Sequence, residues 1–170
     1  GQTNGISPFT DLLLEAIPIS RANLSLAYLI GTVASAFSMP FVGRLYDRHG
    51  SKRMAVTAGF FLGLSVFGLS FVDAVVRNAS ELLPAVFQAA AGVAVMSLGF
   101  FLVRFFGQGI LNLTSRNMVL KWYDDRRGFA NAVLAPSIAV GFSYAPRVFD
   151  RMISSFGWDG AWRVMGAVLV

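Results

Sequence analysis

The chain has 170 residues, of which 55% are apolar and only 14% charged, and its formal net charge is +5. Soluble domains average about half apolar and about a quarter charged residues, so this composition and a mean hydropathy of +0.62 favour a membrane-embedded protein. The absence of cysteine and the single histidine, His49, exclude a disulfide scaffold, iron–sulfur clusters, thiol catalysis and a histidine-rich metal site.

Apolar runs predict six membrane-spanning helices, of which the first and the last are incomplete. About 20 apolar residues are needed to cross a bilayer. The predicted spans cover residues 1–10, 24–45, 54–72, 93–120, 128–145 and 161–170. We therefore expect an all-α membrane protein in which residues 1–170 form one helical bundle, truncated within its first and sixth helices.

Local signals mark the limits and contacts of these spans. Ser20 is a predicted cap for the second span. In the third, Gly59 and Gly63 have a G-x-x-x-G spacing that lets another helix approach closely. Residues 73–84 form a predicted polar connection, and Trp158 and Trp162 are predicted to lie at the membrane interface.

Basic residues predict the orientation of the bundle. Eight of the fourteen lie in the two short loops after spans two and four, namely Arg44, Arg48, Lys52, Arg53, Arg116, Lys121, Arg126 and Arg127. Such loops face the cytoplasm. Because the basic clusters alternate with apolar runs, we expect the partner to be a lipid bilayer and not a nucleic acid.

The segment from Gly43 to Arg53 reads G-R-L-Y-D-R-H-G-S-K-R. Gly43 permits close helix contact, and Gly50 permits a turn with positive φ. Asp47 can accept hydrogen bonds from a helix end or from an arginine. The basic end can anchor at anionic headgroups. An ordinary cytoplasmic loop would explain the basic residues, but not the order of glycine, aspartate, arginine and glycine.

Position for position, this segment resembles the loop signature G-x-L-x-D-R-x-G-x-K/R-K/R of the major facilitator superfamily. The resemblance implies the amino-terminal six-helix half of a secondary transporter, whose partner is the missing carboxyl-terminal half. It also implies that the loop latches the cytoplasmic side while the carrier faces outward. The gating residues it implies are Gly43, Asp47, Arg48, Gly50, Lys52 and Arg53.

Two further segments resemble the monocarboxylate porters within that superfamily. They are residues 121–132, K-W-Y-D-D-R-R-G-F-A-N-A, and residues 156–163, F-G-W-D-G-A-W-R. Asp124 and Asp125 depart from the family's usually basic patch. The resemblance singles out Arg126, Arg127 and Asn131 around the loop between helices four and five.

Arg104 is the one charge predicted to lie well inside a membrane span, away from its ends. A charged side chain there costs a few kcal/mol or more and should face protein or water. With α-helical spacing it shares a face with Gln108, Asn112 and Ser115. Three roles are open: attraction of an anionic substrate or tuning of a proton site, a clamp to backbone carbonyls of the first span, or a snorkelling side chain.

Other polar residues complete the predicted cavity. Gln2 and Asn4 of the first span and Ser137 of the fifth are candidates for substrate contact, with helix packing as the alternative. The spans contain no paired carboxylates, and the chain has no catalytic serine set and no phosphate-binding glycine loop. The sequence therefore predicts neither an enzyme nor a bound cofactor.

The resemblances together imply a multi-pass carrier of the cytoplasmic (inner) or plasma membrane that works by alternating access. Its expected substrate is a small organic anion, such as a monocarboxylate or dicarboxylate, moved by proton symport or by exchange. A carrier of a drug, sugar or nucleoside, and a receptor built on a transporter fold, are the alternatives.

Overall fold

The computed structural model of the chain describes residues 3–17, 19–82 and 85–170, which form helices and short turns and contain no strand. The elements in chain order are α1 (Thr3–Ala16), α2 (Arg21–Leu69), α3 (Val72–Leu82), α4 (Ala85–Val103), a π-helical segment (Arg104–Leu111), α5 (Asn112–Trp122), a 3-10 turn (Asp124–Arg126) and α6 (Arg127–Leu169). The predicted all-α class is confirmed.

The two longest helices are each broken by a glycine. Gly50 has φ 76° and ψ 166° within α2, and Gly157 has φ 74° and ψ 172° within α6. Only glycine adopts this backbone region without strain, which confirms the positive φ predicted at Gly50. Each helix therefore consists of two arms, residues 21–49 and 51–69 in α2, and residues 127–156 and 158–169 in α6.

Both arms of α2 pack against the α4 helix. A Cβ atom added at Gly31 in the first arm would lie 2.8 Å from the backbone nitrogen of Phe101 and 2.9 Å from the carbonyl of Ser97. Leu69, at the end of the second arm, lies against Gly99 of α4. Because both arms reach one helix, α2 is a helical hairpin folded around α4.

The amino-terminal end of α2 is capped as predicted. The Ser20 hydroxyl accepts a hydrogen bond from the backbone nitrogen of Asn23 at 3.1 Å, and Ser20 has an extended conformation. This bond satisfies one of the backbone donors that a helix leaves free at its start.

Glycines also set the contact between α2 and α6. An added Cβ at Gly63 would lie 2.8 Å from the carbonyl of Gly166, whereas nothing lies within 4 Å of one at Gly59. Among the described residues, only Gly63 of the predicted G-x-x-x-G pair is therefore used in a helix crossing. A Cβ at Gly43 would also meet open space, so no described helix makes the close contact that the sequence predicts there.

The larger core cluster joins α1 to both long helices. Phe9 lies 5.2 Å from Trp162 and 6.0 Å from Phe149 between ring centroids. Trp162 is only 6% exposed, so its ring packs in the helix core, and its predicted depth at the membrane interface stays a prediction. The fully buried members of this cluster include Leu13, Ala27, Met96 and Ala161.

Within the described residues, three helices are long and apolar enough to cross a membrane: Arg21–Leu69, Phe87–Trp122 and Gly128–Leu169. With the two glycine breaks, these helices contain most of the predicted second to sixth spans. Large apolar side chains remain on their outer faces, as at Phe37, which is 83% exposed. Exposed apolar surface of this kind marks sides that face a membrane or another part of a protein.

Two segments outside the predicted spans are helical: the polar connection predicted at 73–84 and the stretch between the predicted fifth and sixth spans. The segment predicted as a polar connection forms α3 over Val72–Leu82, and its Asp73 and Arg77 side chains pair at 2.6 Å across one helical turn. The α6 helix continues through Pro136 and past Pro146 to its break at Gly157. The membrane limits of the spans stay predictions.

Candidate functional site

Arg104 begins the π-helical segment and reaches the first arm of α2. Its Nη1 donates to the Tyr28 hydroxyl at 2.6 Å, and its guanidinium carbon lies 5.3 Å from the centre of the Tyr28 ring. The same ring packs edge-on against Phe100 at 5.5 Å. Tyr28 is thus held in place by packing, and it presents both its ring face and its oxygen to the arginine.

The charge of Arg104 is not neutralised within the described structure. No carboxylate of the described residues lies within ion-pair distance of the guanidinium, and Tyr28 is its only described partner. The bond goes to a hydroxyl of the second span, and the described residues show no contact with the backbone carbonyls of the first span that the clamp hypothesis names. A half-buried guanidinium of this kind keeps several donors and a full positive charge for another ligand.

The π-helical segment redirects the polar stripe predicted from α-helical spacing. Its backbone bonds join residues five apart, so each residue turns through less than the roughly 100° of an α-helix. As a result Arg104 faces Tyr28, whereas Asn112 and Ser115 line a different surface. Gln108 is half-buried and is not among the residues that line the cleft.

A cleft of about 780 Å³ separates the π-helical segment and α5 from the first arm of α6. Its lining residues are Gly107, Leu111, Asn112, Ser115, Arg116, Asn131, Leu134, Ala135, Ile138 and Phe142. The volume lies within the roughly 300–1,000 Å³ typical of ligand sites. The structure therefore brings Asn112 together with Asn131, which the sequence had assigned to separate sites.

Arg116 is the cleft residue that the sequence did not single out. The sequence treated it as one of several loop charges, yet it lies on α5 beside Asn112 and Ser115. Within the described residues it has no hydrogen-bond or ion-pair partner. The sequence did contain one signal for this placement, since Arg116 lies one helical turn beyond Asn112 and therefore on the same face of the helix.

The remaining predicted cavity residues lie elsewhere. Ser137 is exposed outside the cleft lining, and its hydroxyl donates to the carbonyl of Val133 at 2.8 Å within its own helix. Gln2 and the Asn4 side chain lie outside the described residues. Of these three, the described structure places only Ser137, and it does not bring Ser137 to Arg104.

The predicted gating loop is built around the break at Gly50. The Tyr46 hydroxyl and the Ser51 hydroxyl lie 2.7 Å apart and bridge this break, a contact that the sequence reasoning missed. His49 Nδ1 lies 3.1 Å from the carbonyl of Leu45. The Tyr46–Ser51 contact thus spans the turn, and the His49–Leu45 contact lies within the last helical turn before it.

The charged side chains of this loop project outward. Asp47, Arg48, Lys52 and Arg53 are exposed, and none makes an ion pair within the described structure. They are therefore available to a partner surface or to lipid headgroups.

In the loop between α5 and α6, Arg126 ends the 3-10 turn and is exposed. Asn131 lies on the first turns of α6 and faces the cleft. The Arg127 side chain lies outside the described residues. In the described part of the chain, no group of three His, Asp or Glu side chains is placed to hold a metal ion.

The sequence was compared with protein families and with known proteins. Residues 2–170 match the family model described as Major Facilitator Superfamily. The chain is 26% identical over 168 residues to the "Multi-drug resistance efflux pump PmrA homolog" of Lactococcus lactis subsp. lactis (strain IL1403), covering 96% of this chain and 37% of that protein.

Two fungal proteins are also similar. The "MFS-type transporter 1" of Ophiocordyceps sp. (strain BCC 1869) is 27% identical over 76% of this chain and 24% of its own length. The "MFS transporter asaE" of Aspergillus flavus is 27% identical over 77% of this chain and 26% of its own length.

The chain thus spans between about a quarter and somewhat over a third of these relatives. No solved structure gives a significant match. The family model covers nearly every residue, including both arms of α2 and α6, the arginine–tyrosine pair and the turn at Gly50, and the chain therefore belongs to the Major Facilitator Superfamily.

Proposed function

We propose that this chain is the amino-terminal bundle of a secondary active transporter that carries a small organic anion, a monocarboxylate or dicarboxylate, by alternating access. In this scheme it rocks against a second bundle of the same protein, and the substrate site lies between the two. Proton symport or anion exchange would drive the movement.

The unpaired guanidinium of Arg104 is the observation that carries the substrate class. A charged group within a span is retained at a cost of a few kcal/mol, so its usual role is to meet a specific partner. Arginine binds carboxylates through two parallel hydrogen bonds. Tyr28 occupies one donor and orients the fork, which leaves the others for a substrate carboxylate.

The tight helix crossings support the rocking movement. Backbone contacts at Gly31 and Gly63 join α2 to α4 and α6 so closely that the helices would move as one body. The turn at Gly50 would then be the gate of the cytoplasmic side, with Asp47, Arg48, Lys52 and Arg53 making and breaking contacts to the second bundle.

A second candidate is efflux of an amphipathic drug. It is favoured by the printed name of the Lactococcus relative and by the mainly apolar lining of the 780 Å³ cleft. In that case the substrate would bind beside Leu134, Ile138 and Phe142, and Arg104 would only brace Tyr28.

Substitutions at the arginine–tyrosine pair distinguish these roles. The full-length protein that contains this chain is reconstituted in liposomes, and the KM for labelled carboxylates is measured for Arg104→Ala, Arg104→Lys and Tyr28→Phe. If Arg104 binds the anion, its truncation costs about 2 kcal/mol or more, which weakens apparent affinity at least about 30-fold. Arg104→Lys should keep part of the activity.

Tyr28→Phe is the matched control, because it keeps the aromatic ring and removes only the hydroxyl. The loss of one hydrogen bond, about 1 kcal/mol, weakens affinity about fivefold. If Arg104→Ala and Tyr28→Phe had equal small effects, the arginine would be a brace only. The efflux alternative would be favoured if the wild type transported an amphipathic dye and no carboxylate, and if one of these substitutions abolished uptake of the dye.

A further inference from the structure

The π-helical segment contains one residue more than an α-helix between the same two ends would. It covers Arg104–Leu111, between the α-helical α4 and α5. Because each π-helical bond spans one more residue than an α-helical bond, such an interruption leaves one surplus residue. If α-helical bonding replaced it, the helix beyond the segment would turn by about 100° and advance by about 1.5 Å. The same helix thus has two possible registers, which differ by one residue.

The helix before the segment is fixed, whereas the segment itself meets only side chains of α2. Backbone atoms of α4 pack closely against Gly31. In the segment, a Cβ added at Gly107 would lie 3.4 Å from the Leu62 side chain, and the nearest atoms at Gly109 belong to the Met39 side chain. Side chains of this kind, methionine above all, can adapt to a moving neighbour. The segment can therefore change its pitch while α4 stays in place.

The α5 helix beyond the segment is held loosely. Of its 11 residues, only Thr114 is buried by the described chain. The helix ends at Trp122, and the separate 3-10 turn over Asp124–Arg126 joins it to α6. This turn can absorb an advance of about 1.5 Å. Rotation of α5 therefore takes a single buried side chain out of the described core.

The buried side chain of Thr114 is poorly suited to its position. Thr114 is 1% exposed, and its hydroxyl has no hydrogen-bond partner among the described residues. The neighbouring Ser115 hydroxyl, by contrast, donates to the carbonyl of Leu111 at 2.7 Å. A buried hydroxyl without a partner destabilises the state that contains it. The π-helical register therefore contains an unfavourable contact that a rotation of α5 would remove.

The α-helical register would put a leucine at the buried position. In a shift of one residue, each residue of α5 takes the place that its following neighbour held, so Leu113 takes the place of Thr114. Leu113 already packs at the edge of the apolar cluster around Val42. Thr114 takes the place of Ser115 in the cleft lining, and Ser115 takes that of Arg116. The core thus gains an apolar side chain, and the cleft loses its guanidinium.

We propose that the π-helical segment is a register switch within this helix. In the register described, Thr114 is buried and Arg116 lines the cleft. In the other register the helix is α-helical throughout, Leu113 fills the core and Arg116 leaves the cleft. Interruptions of this type are frequent at functional sites. The switch moves α5 alone, leaves α4 in place, and does not depend on the identity of the transported substrate.

Deletion of Gly107 removes the surplus residue without removing a side chain. With one residue fewer, α-helical bonding joins α4 to α5 in the register described, and the second register is no longer reached. The full-length protein without Gly107 should therefore fold and elute like the wild type in fluorescence-detected size-exclusion chromatography. Deletion of Gly99 is the matched control, because Gly99 lies in the α-helical α4. That deletion turns the rest of the helix by about 100° and should prevent folding.

Thiol labelling reports which register is populated. This chain has no cysteine, and any others of the full-length protein are replaced before Thr114→Cys or Ser115→Cys is introduced. The rate of reaction with a small water-soluble maleimide is then measured with and without Gly107. Ser115 is exposed in the register described, so its variant should label rapidly in both proteins. Labelling at Thr114 follows the population of the second register, and deletion of Gly107 should slow it at least about tenfold.

Leu113→Asn decides the matter if the protein without Gly107 does not fold. It removes no residue, but in the second register it buries an amide where leucine would lie, so labelling of Thr114→Cys should slow about fivefold or more. Equal labelling rates of Thr114→Cys with and without Gly107 would overturn the proposal, because its exposure would then not need the surplus residue. Labelling of Thr114→Cys that Leu113→Asn leaves unchanged would overturn it as well.

Discussion

Replacing Gly63 by alanine tests the helix crossing that holds α2 against α6. The new Cβ would lie 2.8 Å from the carbonyl oxygen of Gly166 and 2.8 Å from a methyl group of Val170. Ordinary contacts begin near 3.4 Å, so the second arm of α6 would have to move by about 0.6 Å. Because a backbone atom is involved, no side chain can turn away to relieve the contact.

The magnitude follows from two opposing effects. In a helix interior, alanine is more stable than glycine by roughly 0.5–1 kcal/mol, whereas overpacking costs typically about 1–3 kcal/mol. Gly59→Ala supplies the control, because it lies one turn earlier in the same arm and meets nothing within 4 Å. The difference between the two variants removes the propensity term and should be about 1–3 kcal/mol.

The assay is unfolding of the purified protein in mild detergent, followed by intrinsic fluorescence during denaturant titration. Gly59→Ala should be as stable as wild type or slightly more stable, and Gly63→Ala should unfold at a lower denaturant concentration. Equal midpoints for the two variants would refute the close crossing at Gly63. A destabilised Gly59→Ala would show that the second arm of α2 packs in a different register.

Three further predictions concern the turn at Gly50 and the ion pair between α1 and α2. Gly50→Ala forces a side chain into a φ of 76° and should cost about 1–3 kcal/mol, whereas Gly43→Ala, with open space around it, should fold and express normally in fluorescence-detected size-exclusion chromatography. Tyr46→Phe removes the hydrogen bond to Ser51 and should lower unfolding free energy by about 0.5–1.5 kcal/mol; an unchanged midpoint would contradict a bracing role. Asp11→Asn breaks the exposed ion pair between Asp11 and Arg21 and should change stability by at most about 1 kcal/mol. A large fall in the thermal unfolding temperature would contradict the exposure of this pair.

The sequence predicted most of the fold because apolar runs and glycine placement have direct structural causes. The positive φ at Gly50 and the cap at Ser20 followed from local chemistry that tertiary contacts do not change. The superfamily prediction is confirmed by the family match. The resemblance to monocarboxylate porters stays a prediction.

The site was predictable only in part, because side-chain direction depends on helix type. The stripe from Arg104 to Ser115 assumed α-helical spacing, and the π-helical segment turned Arg104 toward Tyr28 and Asn112 toward α6. Hydrophobic periodicity carries no signal for such a segment. The roles of Arg104, Gln108, Asn112 and Ser137 in transport stay predictions.

The sequence also did not predict which side chains pack against each other. Trp162 fits an interfacial pattern, yet it meets Phe9 in the core because α1 crosses α6 there. The joint cleft of Asn112, Arg116 and Asn131 required the relative placement of two helices.

Uptake by proteoliposomes tests the central claim most directly. The full-length protein is reconstituted and offered labelled monocarboxylates, dicarboxylates and an amphipathic cationic dye, with and without an inward proton gradient or an internal carboxylate. The account predicts saturable carboxylate accumulation that one of these two driving forces stimulates, and no accumulation of the dye. Transport of the dye without transport of any carboxylate would contradict it.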